Sequence, residues 1–279
     1  MRHGVRATLG KTGIYVVCIF LAILSIFPFY IMIVNATRST YEIQQTAISL
    51  IPSDYLFSNF KVFENKPFSP MKGFVNSMIV STGATLCAVY FSTLTAYSVV
   101  VYDWKLKNVF FTFVMCVLMI PSQLLTIGFY KMMYSWGWIN TFAPLILPSI
   151  AAPSMVFFMR QYMKPALSLE IVQSARIDGA GEFFIFNRIA LPIMKPAIAT
   201  QAIFTFVNTW NQLFMPMILL RQDKYTMPCM ISLLRGDIYK TEYGAVYLGL
   251  TLTVLPLFLV YFALSKYIIA GVALGSVKG

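Results

Sequence analysis

Hydrophobic residues occur in six long runs that are separated by more polar segments. A helix needs about 20 apolar residues to cross the roughly 30 Å of hydrocarbon in a bilayer, and each run is long enough. The runs cover residues 13–36, 73–101, 108–130, 142–163, 191–220 and 245–268. Prolines interrupt several of them, which helix bundles tolerate where neighbouring helices satisfy the freed backbone groups. The pattern predicts an all-α polytopic membrane protein with six transmembrane helices and a single domain over residues 1–279.

The composition excludes a water-soluble protein. Of the 279 residues, 58% are hydrophobic and 11% are charged, whereas a soluble domain has about 25% charged residues. Lipid must therefore be the solvent for much of the chain. The net charge of +11 is compatible with nucleic-acid binding. However, the sequence has no Lys/Arg run and no aromatic-basic stripe, so we expect a lipid bilayer and no nucleic acid as partner.

The basic residues indicate the orientation in the membrane. With the N-terminus in the cytoplasm, the inner segments hold twelve basic and four acidic residues, and the outer segments hold nine and six. Basic residues are more frequent on the cytoplasmic side of membrane proteins. We therefore predict that both termini are cytoplasmic and that residues 37–72 and 221–244 are external loops. Residues 164–190 are then the longest cytoplasmic segment between two spans.

Residues suited to catalysis or metal binding are scarce. His3 is the only histidine, which removes most metal and His-base chemistry. Four cysteines lie far apart in the sequence, at Cys18, Cys87, Cys116 and Cys229. Residues 10–12 read Gly-Lys-Thr, like the end of a phosphate-binding loop, but Val5 replaces the glycine that this motif needs five residues earlier. We expect no catalytic residue, no metal and no nucleotide site in this chain.

The cytoplasmic segment 164–190 is predicted to be a helix, a break and a second helix. Pro165 is suited to the first turn of a helix, where its missing N–H has no consequence. On this basis Leu167, Ile171 and Ser174 line one face of the first helix. That face contains both apolar and polar residues, so its amphipathicity is mixed.

The break is predicted at Asp178, Gly179 and Gly181, because glycine adopts the dihedral angles of tight turns. Beyond the break, three residues recur at helical spacing: Phe183, Phe186 and Ala190. A plain connecting loop is the simplest interpretation, but it leaves several phenylalanines exposed without a contact. A helix pair presented to the cytoplasm also fits the groove of a partner protein.

The sequence around this break resembles the coupling loop of the permease subunits of ABC importers. Residues 173–180 read Gln-Ser-Ala-Arg-Ile-Asp-Gly-Ala, and Ile189, Leu191-Pro192 and Pro196 follow at the spacing of the family. The family motif is roughly E-A-A-x-x-D-G-A, followed after about nine residues by I-x-L-P-x-x-x-P. We call residues 164–190 the coupling segment.

Two positions depart from the motif. Gln173 stands where the family has Glu, and Ser174 where it has Ala. Glutamine keeps the shape and hydrogen bonding of the side chain but not its charge. The ionic contact that the family's Glu makes with its ATPase is therefore not implied for this chain.

Further segments are similar to carbohydrate-uptake permeases of the maltose-permease type. They are the C-terminal residues 266–279, the stretch 208–216 (Asn-Thr-Trp-Asn-Gln-Leu-Phe-Met-Pro) and Asn76-Ser77 at the start of the second span. The resemblance extends from about residue 14 to the end of the chain. It is closest to the second, six-helix permease subunit of such importers.

The resemblance implies a permease subunit of an ATP-driven ABC importer for a di- or oligosaccharide, in the cytoplasmic (inner) membrane of a bacterium. In that family the pore contains a second, different permease subunit. Two ATP-binding subunits bind ATP and Mg, and an extracellular or periplasmic sugar-binding protein delivers the sugar. This chain would then be no enzyme and would hold no cofactor.

The resemblance also implies which residues couple ATP hydrolysis to transport. They are Glu170, Gln173, Ser174, Ala175, Asp178, Gly179, Ala180, Phe183 and Pro192. Gly179 is expected to form the turn of the lever, and Asp178 is expected to cap the turn that follows it. The C-terminal tail 275–279 is expected to reach toward the ATPase subunits.

Polar residues inside the spans are candidates for the substrate pathway: Asn76, Tyr97, Asn208, Trp210 and Asn211. Polar groups in lipid are costly and tend to face the interior of the bundle. Amides and aromatic rings also suit a sugar. The alternative is that these residues form hydrogen bonds between helices and never touch substrate. No ionised side chain lies in the middle of a span, which favours a neutral substrate.

Other functions stay open from the sequence. An amino sugar or glycerol phosphate is an alternative substrate, although a phosphorylated solute calls for basic residues in the pore. A stand-alone secondary transporter would need its own intramembrane acid or base. A membrane-embedded enzyme would need a histidine, a carboxylate pair or a Cys–His set. The sequence shows neither of these requirements.

Overall fold

The computed structural model describes residues 2–64, 70–235 and 241–276, and the regular elements in these ranges are all helical. The α-helices are α1 (Arg2–Ala36), α2 (Thr40–Gln45), α3 (Leu56–Glu64), α4 (Pro70–Val101), α5 (Lys107–Leu118), α6 (Thr126–Ser135), α7 (Ala143–Ile146), α8 (Pro153–Ala166), α9 (Leu169–Ile177), α10 (Glu182–Ile185), α11 (Leu191–Ile193), α12 (Lys195–Trp210), α13 (Phe214–Leu219), α14 (Met227–Arg235) and α15 (Tyr243–Ser276). The predicted all-α class is confirmed.

Four stretches are long and apolar enough to cross a membrane as one helix. They are Gly13–Ala36, Pro70–Val101, Ala143–Ala166 and Tyr243–Lys266. They correspond to the first, second, fourth and sixth hydrophobic runs of the sequence. A membrane-spanning architecture therefore follows from the length and composition of the helices.

The third and fifth hydrophobic runs each contain a sharp bend, so neither is a single straight helix. Lys107–Leu118 and Gln123–Ser135 meet at 86°, and Glu182–Ile193 and Lys195–Trp210 meet at 79°. The first break contains Pro121, which has extended dihedral angles and no N–H for a helical hydrogen bond. With each bent pair counted as one span, the described residues contain up to six candidate spans by length and composition.

The chain forms two compact units. The first contains Met1–Pro70 and Ile231–Leu255, and the second contains Met71–Met230 and Pro256–Gly279. The prediction of one domain over 1–279 stays a prediction.

In the first unit, a buried arginine organises the predicted external loop 37–72. The Arg38 side chain donates hydrogen bonds to Asn35 Oδ1, Thr46 O and Glu42 O at 2.7–3.0 Å. Ser39 and Glu42 form a capping box at the start of α2. The predicted loop therefore contains two short helices, α2 and α3.

In the second unit, a core of methionine and small residues joins α4, α8 and the coupling segment. Three methionines one turn apart on α8 are at most 2% exposed: Met155, Met159 and Met163. They share one hydrophobic cluster with Ala88 and Ala96 of α4 and with Val172 and Ile185. The coupling segment is thus packed against two long helices by its inner side.

Candidate coupling site and solute recess

The first helix of the coupling segment is capped by a serine. The Ser168 hydroxyl accepts a hydrogen bond from the backbone N–H of Glu170 at 3.2 Å, and α9 runs from Leu169 to Ile177. Pro165, which was predicted to begin this helix, lies instead in the last turn of α8. A serine side chain can accept a hydrogen bond from one of the free N–H groups at a helix start, whereas a proline side chain has no acceptor for such a bond.

The buried face of α9 also differs from the prediction. Val172 is 1% exposed and Ala175 is 9% exposed, whereas Ile171 and Ser174 are exposed. Leu167 is buried, but it is the C-terminal cap of α8. Helical spacing counted from Leu167 therefore does not apply to α9, which explains the wrong face.

The break after α9 has the hydrogen bonds of a Schellman motif. The Ala180 N–H donates to Ala175 O and the Gly179 N–H donates to Arg176 O, both at 3.0 Å. Gly179 has a φ of 79°, in the left-handed region that glycine adopts without steric cost. Ala180 packs against the cluster that contains Ala175. The predicted turn at Gly179 is confirmed, and the motif gives each of these small residues a structural reason.

The prediction that Asp178 caps the turn that follows it is wrong. It is the C-terminal cap of α9, where its backbone N–H bonds to Ser174 O at 3.0 Å. The residue at the start of α10 is Gly181, which offers no side-chain cap. Asp178 therefore acts here through its backbone, and its side chain is exposed.

The second half of the coupling segment is α10, a π-helical turn over Phe186–Ala190, and α11. The Leu191 N–H bonds to Phe186 O, five residues back. Pro192 has no N–H for the carbonyl of Arg188, four residues back and inside the π turn. Phe186 and Ala190 are buried, so two of the three residues predicted at helical spacing face the core.

The outer surface of the coupling segment combines polar residues with three exposed large apolar side chains. Ile177 is 86% exposed, Phe183 is 75% exposed and Phe184 is 55% exposed. The predicted coupling residues that are also exposed are Glu170, Gln173, Ser174, Asp178, Gly179, Phe183 and Pro192. Ala175 is buried and Ala180 is partly buried, so these two shape the turn from inside.

Glu182, which the sequence analysis did not select, accepts hydrogen bonds from three side chains. Its Oε1 accepts from Arg176 Nε at 2.6 Å, and its Oε2 accepts from Tyr102 Oη at 2.5 Å and from Tyr97 Oη at 3.5 Å. The hydrogen bond to Glu182 raises the pKa of Arg176 above its ordinary value. This network ties α9, α10 and the end of α4 together.

Tyr97 was predicted to line the substrate pathway, and the structure places it in this network. It is 2% exposed and has edge contacts with the rings of Tyr102 and Phe186 at 5.9 and 5.4 Å. It lines a recess of about 320 Å³ together with Glu182 and Phe183. The structure therefore does not bring Tyr97 together with the other candidates on α12.

Three of the remaining candidates separate into packed and open positions. Trp210 is 1% exposed and stacks on Phe206 with ring centroids 5.6 Å apart, so its ring faces are not open to a solute. Asn76 donates to Tyr225 O at 3.1 Å, as expected for a side chain that joins two segments. Asn211 is exposed at the end of α12.

A polar recess of about 290 Å³ lies at the C-terminal end of α12. Its lining residues are Asn208, Thr209, Asn211 and Gln212. A second recess of about 370 Å³ shares two of these residues, Thr209 and Gln212, and is otherwise mostly apolar. An apolar wall with a few amide and hydroxyl groups is the usual composition of a small-molecule site.

Comparisons with known proteins agree with this architecture. Residues 88–273 match the family described as "Binding-protein-dependent transport system inner membrane component". The arabinooligosaccharides transport system permease protein AraQ of Halalkalibacterium halodurans is 34% identical over 263 residues, which is 93% of this chain and 94% of that protein. The lactose transport system permease protein LacG of Rhizobium radiobacter is 32% identical over 265 residues, 95% of each chain.

More distant similarities are consistent with these. The sn-glycerol-3-phosphate transport system permease protein UgpE of Pectobacterium atrosepticum is 26% identical over 255 residues, 88% of this chain and 90% of that protein. A crystal structure of a bacterial ABC transporter involved in the import of the acidic polysaccharide alginate has a chain of the same fold. That chain has a TM-score of 0.79 and 20% identity, with 94% of this chain and 97% of that chain covered. The protein is therefore a member of the family of binding-protein-dependent transport system inner membrane components, and it is a multi-pass membrane permease subunit of an ABC importer.

Proposed function

We propose that this chain is one of two different permease subunits of an importer for a neutral di- or oligosaccharide in the cytoplasmic membrane of a bacterium. Both termini face the cytoplasm. Two partner subunits bind and hydrolyse ATP with Mg, and an extracellular or periplasmic sugar-binding protein delivers the solute. The chain has no ATPase site and no cofactor of its own.

The observation that carries the proposal is the two-sided coupling segment. Its outer side exposes Ile177, Phe183 and Phe184, which suits insertion into the groove of a partner. Its inner side belongs to the same hydrophobic cluster as α4 and α8. Displacement of the segment by a partner is therefore passed to the long helices as a rigid-body motion, because packed cores do not deform continuously.

A neutral solute is favoured by the recess at the end of α12. Its lining residues carry amide and hydroxyl groups, and the residues that line the two adjoining recesses include no charged side chain. A phosphorylated solute would require cationic groups. Two relatives at or above 32% identity are named for arabinooligosaccharide and lactose transport, and the one named for glycerol phosphate is more distant.

Reconstitution of the intact complex tests the proposal. The complex, purified through a tag on this chain, is placed in proteoliposomes with ATP on the side of the coupling segment, and uptake of radiolabelled lactose, arabino-oligosaccharides and glycerol 3-phosphate is measured. We expect ATP-dependent uptake of a neutral sugar that requires the binding protein. Uptake without the ATP-binding subunits would show a secondary transporter, and uptake of glycerol 3-phosphate alone would contradict the neutral substrate.

A further inference from the structure

The side chain of Glu182 connects three separate parts of the second unit. Arg176 is in the last turn of α9, Glu182 is the first residue of α10, and Tyr102 follows the last residue of α4. The distances are 2.6 Å from Arg176 Nε and 2.5 Å from Tyr102 Oη to the two carboxylate oxygens. The Arg176 guanidinium also lies 5.4 Å from the centre of the Tyr102 ring. One carboxylate at the start of α10 therefore accepts hydrogen bonds from α9, across the break, and from the end of α4.

The break itself offers few polar contacts of this kind. Its backbone closes through the Schellman hydrogen bonds, and among the described residues the side chain of Asp178 makes no hydrogen bond. Two of its four residues are glycines, Gly179 and Gly181, which restrict the chain least. The angle between α9 and α10 therefore depends on buried apolar contacts and on the Arg176–Glu182 link.

The geometry makes this link stronger than an ordinary surface ion pair. Exposed ion pairs contribute little on their own, and the side chains of Arg176 and Glu182 are 36% and 44% exposed. Here, however, the carboxylate also accepts hydrogen bonds from the hydroxyl groups of Tyr102 and, at 3.5 Å, Tyr97. Hydrogen bonds to an ionised acceptor are about twice as strong as neutral ones.

We propose that Glu182 is a positioning residue that fixes the coupling segment to the end of α4, so that motion of α9 reaches α4 without slack. This inference rests on the proposed coupling function. Glu182 touches neither solute nor nucleotide in this scheme. Its role is to keep α9, α10 and α4 in one orientation while a partner subunit moves the segment.

The first test is the number of sugar molecules transported per ATP hydrolysed by the reconstituted complex. In Glu182→Gln we expect this ratio to fall at least about tenfold, the loss expected when hydrogen bonds to a charged group are removed. Tyr102→Phe should lower the ratio by about two- to threefold and should add little in the Glu182→Gln background, because both changes break one network. Glu182→Asp, which keeps the charge, should restore part of the ratio.

Asp103→Asn is the matched control. It also removes a carboxylate beside Tyr102, but Asp103 pairs only locally with Lys107 at 2.8 Å and its side chain is 95% exposed. We expect an unchanged ratio in this variant. A fall equal to that of Glu182→Gln would overturn the positioning role, because it would trace the effect to charge in general.

The second test measures orientation without transport. Spin labels are placed at the exposed positions Leu106 and Ile171 of the assembled complex, after the four native cysteines have been replaced by alanine, and the distance distribution is recorded by pulsed EPR. We expect Glu182→Gln, or Tyr102→Phe if the former does not assemble, to broaden this distribution. An unchanged distribution would overturn the positioning role and leave the importer function intact. A broadened distribution with an unchanged transport ratio would also overturn the positioning role and leave the importer function intact, because coupling would then not depend on the orientation that Glu182 fixes.

Discussion

The coupling segment and the C-terminal end of α12 both contain a break between helices, but their polar groups are arranged differently. In the coupling segment, backbone groups pair in the turn at Gly179, and the Glu182 carboxylate is paired with Arg176 and Tyr102. At the end of α12, the side chains of Asn208 and Asn211 are exposed and line a recess.

The difference indicates two different tasks. A lever has to keep its shape, so the backbone of its turn and its Glu182 carboxylate are paired internally. Apolar side chains such as Phe183 are exposed for a partner. A solute site has to exchange hydrogen bonds with its ligand, so amides without internal partners are useful there. Among the described residues, Asn208, Asn211 and Gln212 make no side-chain hydrogen bond.

Gly179→Val should abolish coupling. A β-branched residue at a φ of 79° adds about 1–3 kcal/mol of strain and should open the turn, so we expect at least a tenfold loss of sugar uptake at a normal level of protein in the membrane. Gly181→Val is the matched control, because Gly181 lies in the same break with a φ of −72° and no atom near an added Cβ. Equal losses in both variants would contradict the role assigned to the turn.

Phe183→Ala should weaken attachment of the ATP-binding subunits about tenfold. Burying a phenylalanine in a partner stabilises a complex by about 1.5–3 kcal/mol, and Phe183 is 75% exposed in this chain. Co-purification of ATP-binding subunits with the tagged permease measures the effect. Phe57→Ala serves as control, since Phe57 is 79% exposed in the other unit. Full retention of the subunits by Phe183→Ala would place the partner elsewhere.

Asn211→Ala should raise the KM for sugar about fivefold and leave the amount of sugar per ATP unchanged. The expected loss corresponds to one hydrogen bond, about 1 kcal/mol. Asn76→Ala provides the contrast, because Asn76 donates to Tyr225 O and its loss should lower thermal stability with little effect on KM. If KM changed in Asn76→Ala and not in Asn211→Ala, Asn76 would be the residue that contacts the solute, which would contradict the prediction.

Gln173→Glu should have the smallest effect, within about twofold of the original ATPase stimulation. Gln173 is exposed on α9 and makes no side-chain hydrogen bond within the described residues, so the change adds a charge without altering the shape of the helix. Stimulation of ATP hydrolysis by the sugar-loaded binding protein is the measurement. A large decrease would show that charge at this position matters to the partner.

The helical class and the position of the break could be read from the sequence because they depend on local signals. Long apolar runs indicate spans, and the neighbouring Asp178-Gly179 indicates a turn. Ser39 and Glu42 also have the spacing of a capping box, which is a local signal for the start of α2. The C-terminal tail 275–279 lies largely outside the described residues, and its predicted reach toward the ATPase stays a prediction.

The remaining features depend on contacts between distant parts of the chain. Glu182 and Tyr102 are 80 residues apart in the sequence, so no local sequence pattern around either residue predicts their hydrogen bond. Tyr97 and Trp210 are typical of a sugar site by residue type, but both are buried. Tyr97 contacts the rings of Tyr102 and Phe186, and Trp210 contacts those of Phe74 and Phe206. The coupling role of Glu170 and Pro192, like the solute role of Asn208, stays a prediction.

In the proposed importer, the exposed side of the coupling segment contacts a subunit that hydrolyses ATP. The most direct measurement is photo-crosslinking in native membranes with benzoylphenylalanine at position 183, compared with position 57, followed by mass spectrometry of the crosslinked partner. We predict a crosslink from position 183 to an ATP-binding subunit and none from position 57. Crosslinks from position 183 to lipid alone would contradict this contact. Equal crosslinks from positions 183 and 57 to the same partner would also contradict it.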